Sequence, residues 1–425
     1  MAQRTPLWRQ DLTRQCRCPV CGSEGEQPVL LAIDSIVEPY RLLSFATCPS
    51  CGTIHLLDFV QPQYAHSLRL GAELKFYVEQ GAGLDTLVLP ACIAGLRPGR
   101  KYLEVGCGFG FGLDFARHAY GMDVRGIDPS AIAGEGSRLL GLDIENRYLT
   151  ARDARTHGVR DAIAAVEVIE HIEDPGQFLA VLRANLASDG ILILTTPNAG
   201  YIEPGRDKPG LLAVLTPGYH AVLFTEGSLR LALNAAGFPD VKVLARGMTL
   251  IAVAGPGAAE IDIDGAFDQD LYKRYLEERF ATKKDDPILS VGFGYRLFKN
   301  AVNRGTYDEA DSLRTELADI LRRRDGVDIL DPHGLLVRFD RPVSFEEFIK
   351  QFPACIVGLL YFSAMIELNK NEDRRRAVAY FYAAHVAAGA FRRAMIEFGI
   401  DDGETANLER RAREHVALVL GWMSS

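Results

Sequence analysis

A short apolar run, Lys101–Val105, leads into Glu104-Val-Gly106-Cys107-Gly108-Phe-Gly110-Phe-Gly112, and a helix-period segment over Leu113–Tyr120 follows at once. Glycines alternating between a strand and a helix restrict what can be built around them. Glycine admits backbone conformations with positive φ and lets the main chain approach a ligand with no Cβ in the way. The helix N-terminus behind such a turn favours a negative group. Nicotinamide enzymes use a comparable turn, with the spacing Gly-x-Gly-x-x-Gly. Counted from Gly106 that spacing needs a glycine at 111, where Phe111 stands.

The segments that follow alternate strand and helix. Val124–Ile127, Tyr148–Leu149, Ala162–Val166 and Ile191–Leu194 read as strands. Ala131–Leu140, Gln177–Leu186 and Ser228–Ala236 read as helices, and Val241–Leu244 and Thr249–Val253 as closing strands. Short apolar runs alternating with helices imply an α/β domain, a doubly wound parallel sheet covered on both faces. Asp128 stands at the end of the second strand, where a carboxylate can accept hydrogen bonds from both ribose hydroxyls. The Pro129-Ser130 that follows would also suit a turn or helix cap.

Glu104, the glycines and Asp128 together resemble the class I S-adenosylmethionine-dependent methyltransferases, over about Lys101 to Val253. The resemblance implies a Rossmann-like sheet and S-adenosylmethionine as cofactor. It sets Glu104, Gly106, Cys107, Gly108 and Gly110 around the methionine part, Asp128 and Pro129 at the ribose, and Asp153 at the adenine amino group. Val166-Glu-Val-Ile-Glu-His-Ile-Glu-Asp-Pro175, Thr196-Pro-Asn198 and His220-x-x-x-Phe224-Thr-x-x-x-Leu229 are similar to the ubiquinone-biosynthesis-like branch, methyltransferase type 23. Glu167 is expected to contact the cofactor. His171 and His220 are the expected catalytic bases, because imidazole titrates near neutral pH. Glu167, Glu170 and His171, at i, i+3 and i+4, could instead converge from a helical turn on a second divalent metal. The place where some N-methyltransferases carry Asn/Asp-Pro-Pro-Tyr/Phe holds Glu167-Val-Ile-Glu170, which argues against that class.

Five of the eight cysteines lie between Cys16 and Cys51. Cys18-Pro-Val-Cys21-Gly22 and Cys48-Pro-Ser-Cys51-Gly52 have one form and could supply four thiolates to a structural zinc ion, with Cys16 as a fifth candidate. Pro28–Ile33 and Tyr40–Phe45 are β-prone, so this region reads as a small zinc ribbon. Cys92, Cys107 and Cys355 read as core residues.

The expected domains are a zinc ribbon at 1–62, a helical linker at 63–95, the methyltransferase-like domain at 96–258 and an all-α domain at 259–425. Within the last, Leu271–Phe280, Leu313–Arg323 and Arg375–Phe398 have helical period, and Ser344-Phe-Glu-Glu347 has the form of a capping box. Residues 303–310 resemble the turn of a tetratricopeptide-type repeat. This helical region could serve self-association or a protein partner. The N-terminus lacks a signal-peptide pattern and no apolar run reaches about 18 residues, so a cytoplasmic protein without a membrane span is expected.

A net charge of -9 opposes a broad grip on nucleic acid, although Arg4, Arg9, Arg14, Arg17 and Arg41 form a local basic set. The expected activity is O-methylation of a small-molecule or sugar-containing (glycan) acceptor. The alternatives are a sugar C-methyltransferase, an RNA methyltransferase and a non-enzymatic zinc and helical scaffold.

Overall fold

The computed structural model describes residues 5–9, 11–38, 40–62, 70–97, 99, 101–339, 344–395 and 403–424. Arg4 and the last residues of the expected helix to Phe398 lie outside them. The chain divides into two compact units, one of residues 1–67 and 84–268 and one of residues 68–83 and 269–425.

In the first unit the strands run β1 (Leu7–Trp8), β2 (Thr13–Arg17), β3 (Glu24–Asp34), β4 (Leu42–Thr47) and β5 (Ile54–Leu56). There follow β6 (Lys101–Val105), β7 (Asp123–Ile127), β8 (Ile144–Glu145), β9 (Arg160–Val166), β10 (Leu186–Pro197), β11 (Val222–Leu223), β12 (Val241–Arg246) and β13 (Thr249–Ala254). The larger sheet has the order β12-β13-β10-β9-β6-β7-β8. Neighbours from β10 to β8 are parallel, and β13 runs antiparallel to both β10 and β12. This is the expected doubly wound sheet, and its strands reverse direction of addition between β6 and β9.

Side chains alternate across a strand, and β6 divides its residues accordingly. Leu103 and Val105 enter a core shared with Leu179 and Leu182 of the helix Pro175–Asn185 and Leu229 and Leu233 of the helix Glu226–Ala235. Tyr102 and Glu104 face the other way and are buried. On Glu104's side stands the helix Phe111–Tyr120, packed on the helix Leu84–Gly95. The expected third strand at Tyr148–Leu149 is instead β8, pairing Gly126 with Ile144. Tyr148 is largely exposed, so its β-prone side chain carried no burial.

The N-terminal sheet has the order β1-β3-β4-β5-β11, with β2 on β3. Its last strand comes from residues 222–223, far along the chain. Its apolar face is likewise shared: Leu31, Ile33, Phe45, Ile54 and Leu56 cluster with Ala199, Leu211, Val214, Leu215 and Leu223. A β-ribbon of this size cannot fill a core alone, and here the helix Lys208–Leu215 and β11 complete it.

Residues 63–95, read as one linker, are split: Leu84–Gly95 covers the large sheet, while 70–81 belongs with the second unit. The boundary expected at 258/259 falls later, since residues 259–268 stay with the first unit. Ile261 and Ile263 are buried there, and Asp264 pairs with Arg246 of β12.

The second unit is helical, as expected. Leu289–Asn303 and Tyr307–Asp325 form an antiparallel pair around the turn at Arg304–Thr306, and Ile356–Asn369, Arg374–Met395 and Gly403–Ser424 pack in succession. Ser344 and Glu347 form the expected capping box. Among the described residues no single helix is long and apolar enough to cross a membrane.

Candidate functional site

The glycine loop turns between β6 and the helix Phe111–Tyr120 with φ of 71° at Gly106, 51° at Gly108 and 88° at Gly110. These are values that non-glycine residues rarely adopt. A Cβ on Gly106 would overlap Val168, one on Gly112 would overlap the Glu104 carboxylate, and one on Gly136 would overlap the Phe109 carbonyl oxygen. The loop is therefore packed from beneath by the segment after β9 and by the helix Ala131–Leu140.

Glu104 is the most informative residue here. It is fully buried, and its Oε2 has no hydrogen-bond partner. Burial pushes its pKa up, the nearby Asp128 charge adds to this, and the Leu113 N–H opposes it, leaving a value of about 8. A buried carboxyl with an unmatched oxygen beneath a glycine cradle suits a cationic ligand group. Asp128 accepts from the Gly108 N–H at 2.8 Å through Oδ2 and from the Ser130 N–H at 2.7 Å through Oδ1. It thus ties the loop to its own turn, in the turn role that Pro129-Ser130 suggested. Cys107 is buried.

Asp153 is engaged elsewhere. Its carboxylate pairs with Arg147 at 2.6 Å and accepts from the Thr150 N–H and Oγ1, each at 2.8 Å. Burial alone would raise its pKa; the Arg147 and Thr150 hydrogen bonds outweigh that and lower it to about 2. The neighbouring residues Thr150–Arg152, with Ile172–Asp174, Gln177 and Phe178, line a cleft of about 750 Å³ between the segment that follows β8 and the start of the helix Pro175–Asn185.

After β9 the chain makes an unusual turn. Glu167 has φ of 53°, a strained value for a residue with a side chain, and a short 3-10 helix Ile169–His171 follows. The strain turns Glu167 aside: its carboxylate accepts from Thr195 Oγ1 at 2.9 Å. Glu170 is fully buried, accepts from Thr196 Oγ1 at 3.0 Å through Oε2, and has no hydrogen-bond partner at Oε1. Burial and the Glu167 charge push its pKa well above the carboxylate range.

The residue brought beside Glu170 and His171 is His220, from 49 positions downstream. The two imidazole centroids are 4.9 Å apart with rings at 75°. Each Nδ1 donates to a backbone carbonyl, His171 to Tyr219 at 3.1 Å and His220 to Val214 at 2.8 Å. A carbonyl can only accept, so both rings carry their proton on Nδ1 and present Nε2 as a lone pair. One ligand atom from each of Glu170, His171 and His220 lies within 4.8 Å of the others. Two imidazoles oriented by backbone carbonyls beside a carboxylate form a donor set that could hold a divalent metal. The anticipated i, i+3, i+4 grouping fails because these residues do not form an α-helical turn, and Glu167 stands outside the convergent set. No local spacing could have shown His220's place in it; its resemblance to a branch motif was the one signal.

The pKa shifts run downward in both histidines. Burial lowers that of His171, and burial with His171 alongside lowers that of His220 to about 3. So weak a base is poorly matched to removing a proton near neutral pH.

The four knuckle cysteines also converge. Cys18 and Cys51 sulfurs are 3.6 Å apart, as are those of Cys21 and Cys48, and all four lie within 4.8 Å of one another. Four thiolates at about 2.3 Å from a tetrahedral centre would stand about 3.8 Å apart, so the set fits zinc. Gly22 and Gly52 close the two turns with φ of 71° and 74°, donating to the Cys18 and Cys48 carbonyls. Burial raises the Cys48 pKa, and the Cys51 and Ser50 N–H groups and the neighbouring thiols more than reverse it, to about 7. Cys16 lies on β2, opposite Gly25, outside the cluster. Cys92 and Cys355 are buried, as expected. Of the arginines, Arg17 stands 3.9 Å from Glu24 and Arg41 pairs with Glu38.

Residues 82–243 match a family model described as a methyltransferase domain. A probable S-adenosylmethionine-dependent methyltransferase of Mycolicibacterium smegmatis is 33% identical over 168 residues, 39% of this chain and 59% of that protein. A ubiquinone biosynthesis O-methyltransferase of Rhodopseudomonas palustris is 37% identical over 111 residues, 24% of this chain and 42% of its own length. The chain thus spans about half the length of the curated relatives it matches. Among solved structures, an S-adenosylmethionine-dependent methyltransferase from Mesorhizobium loti aligns with a TM-score of 0.32 at 20% identity, over 38% of this chain and 94% of that one. The plantazolicin methyltransferase BpumL, in complex with SAH, aligns with a TM-score of 0.35 at 17% identity, over 43% and 89%. The match to a methyltransferase domain thus covers residues 82–243, which carry most of the large sheet.

Proposed function

We propose that this chain transfers the methyl group of S-adenosylmethionine to a hydroxyl oxygen of a small-molecule or sugar-containing acceptor. The observation that carries the reading is the buried Glu170–His171–His220 cluster, two residues beyond the Val168 that packs under Gly106 of the loop. The methyltransferase domain over 82–243 and the O-methyltransferase relative support it.

Bound S-adenosylmethionine supplies a methyl group already activated on a sulfonium, so the protein's task is alignment and removal of the acceptor's proton. In this reading Glu104 receives the cofactor's positive charge, the positive-φ glycines keep the backbone close to it, and Asp128 holds the ribose hydroxyls. The carboxylate of Asp153 is spent on Arg147, so the adenine contact expected of it passes to the surrounding backbone. A divalent ion held by Glu170, His171 and His220 would act as a Lewis acid, lowering the pKa of an acceptor hydroxyl. His220, as a weak base with a fixed Nε2 lone pair, serves as a ligand. His171 has the same orientation, and its base role is the alternative to ligation. Cys18, Cys21, Cys48 and Cys51 hold a structural zinc ion.

The test is product identification after incubation with methyl-labelled cofactor and a panel of hydroxylated acceptors. The expected label is an ether methyl, formed faster with added Mg²⁺ or Mn²⁺ and abolished in Glu170→Gln. Label on nitrogen or carbon alone would overturn the hydroxyl assignment. For the cofactor site, Asp128→Ala should weaken S-adenosylmethionine binding by more than about tenfold, the scale of one charge-assisted hydrogen bond. Calorimetry finding unchanged affinity would remove Asp128 from that role.

A further inference from the structure

We infer that the four-cysteine module is a positioning element of the acceptor-side cluster, acting through the pairing of β5 with β11. The inference rests on the zinc and cluster readings above, and it assigns Leu56 and Ala221 the work of carrying one to the other.

The path is continuous in the backbone. The second knuckle ends at Cys51-Gly52, and the Thr53 carbonyl accepts from the Cys48 N–H at 2.8 Å. Thr53 Oγ1 lies 3.1 Å from the Cys51 sulfur. The next residue opens β5, whose Ile54 and His55 stand opposite Leu223 and Val222 of β11. Leu56 donates to the Ala221 carbonyl at 2.9 Å, and the Ala221 N–H donates to the Glu170 carbonyl at 2.7 Å. Ala221 is thus clamped between the N-terminal sheet and the residue that carries the buried carboxylate. Its neighbour is His220.

The same sheet holds the other side of that strap. Ile36, just beyond β3, donates to the Pro217 carbonyl at 3.0 Å, and Tyr219, two residues on, supplies the carbonyl that orients His171. Val214, whose carbonyl orients His220, belongs to the core shared with β3, β4 and β5. Both carbonyls that set the imidazole tautomers therefore rest on a sheet whose turns the thiolates close. Thr216, with φ of 29°, shows that the strap is held in a conformation it would not choose alone.

The cofactor residues are built differently. Glu104, the glycine loop and Asp128 depend on β6, β7 and two helices, and none of their hydrogen bonds given above runs through the N-terminal sheet. Loss of the thiolate-bound ion should release the strap and leave the cofactor cradle formed. A simple fold staple would lose both together.

The experiment uses the full chain and needs no acceptor. Native mass spectrometry should find one zinc per chain; a protein purified without it would sink the zinc reading itself. Cys48→Ser should lose the ion. Hydrogen exchange should then become about tenfold faster in peptides spanning 52–57 and 214–224, while S-adenosylmethionine affinity stays within about threefold. In side-chain ¹⁵N spectra, the Nδ1-protonated tautomer signals of His171 and His220 should give way to averaged ones. Leu56→Pro, which removes one donor and leaves all four thiols, should retain zinc and show the same release over 214–224. A zinc-free protein that keeps the strap protected and both tautomers fixed would overturn the inference. Equal loss of cofactor binding, or a zinc-loaded Leu56→Pro with an unchanged strap, would overturn it too.

Discussion

At the scale of single residues, the cofactor role proposed for Glu104 would couple the fold to ligand binding. Its pKa of about 8 in the folded chain means that it holds a proton at pH 7, whereas an unfolded glutamate does not. The folded state binds the extra proton, so this group's contribution to stability is greatest below the unfolded value and is lost as pH rises toward 8. A cation docking on Oε2 reverses the preference and expels the proton. Calorimetry of S-adenosylmethionine binding at pH 7, in buffers of different ionisation enthalpy, should record release of up to one proton, and Glu104→Gln should abolish it. Buffer-independent heats in the wild type would refute this. The residue's place at the strand end was legible from the sequence, because period-two alternation and the glycines locate it. Its protonation was not, since that depends on what buries it. Asp153 and Glu167 show the opposite case: spacing located them, but Arg147 and a positive φ decided where their carboxylates went.

At the scale of elements, helices such as Ala131–Leu140 were legible because burial on one face sets their period, and strands such as β9 as short apolar runs. Ile356–Asn369, buried on nearly every side, shows no such period. β8 and β11 were not legible either, being two residues each and too short to show a period; β11 exists because β5 offers it an edge. Gly136 makes the same point within a helix. Taken alone, a helical glycine is a modest cost relative to alanine. Here it lets the helix Ala131–Leu140 lie against the Phe109 carbonyl, and so sets the height of the cofactor loop. Gly136→Ala should therefore destabilise the first unit by about 1–3 kcal/mol, as overpacking does, and weaken cofactor binding. A denaturation midpoint equal to or above that of the wild type would show that the loop yields freely.

At the scale of the molecule, sequence order suggested successive domains, whereas the compact units are interleaved: 68–83 belongs with 269–425. Which segments cluster is settled by long-range packing, which periodicity does not report. Two units with their own cores should unfold separately. Calorimetry should show two transitions, of which saturating S-adenosylmethionine raises only one, by about 2.7 kcal/mol at a hundred times its dissociation constant. A single transition, or both rising together, would contradict this.

The sharing of one sheet between residues 7–56 and 222–223 also has a consequence for synthesis. The cysteine knuckles emerge from the ribosome early and can close on an ion at once. The apolar face of Leu31, Ile33, Phe45 and Leu56 must wait for the segment from Ala199 to Leu223. At a translation rate of about 5–20 residues per second, that delay is on the order of ten seconds or more. Throughout it the nascent chain displays a β-ribbon with a bare greasy side and an open edge, a natural client for a ribosome-associated chaperone.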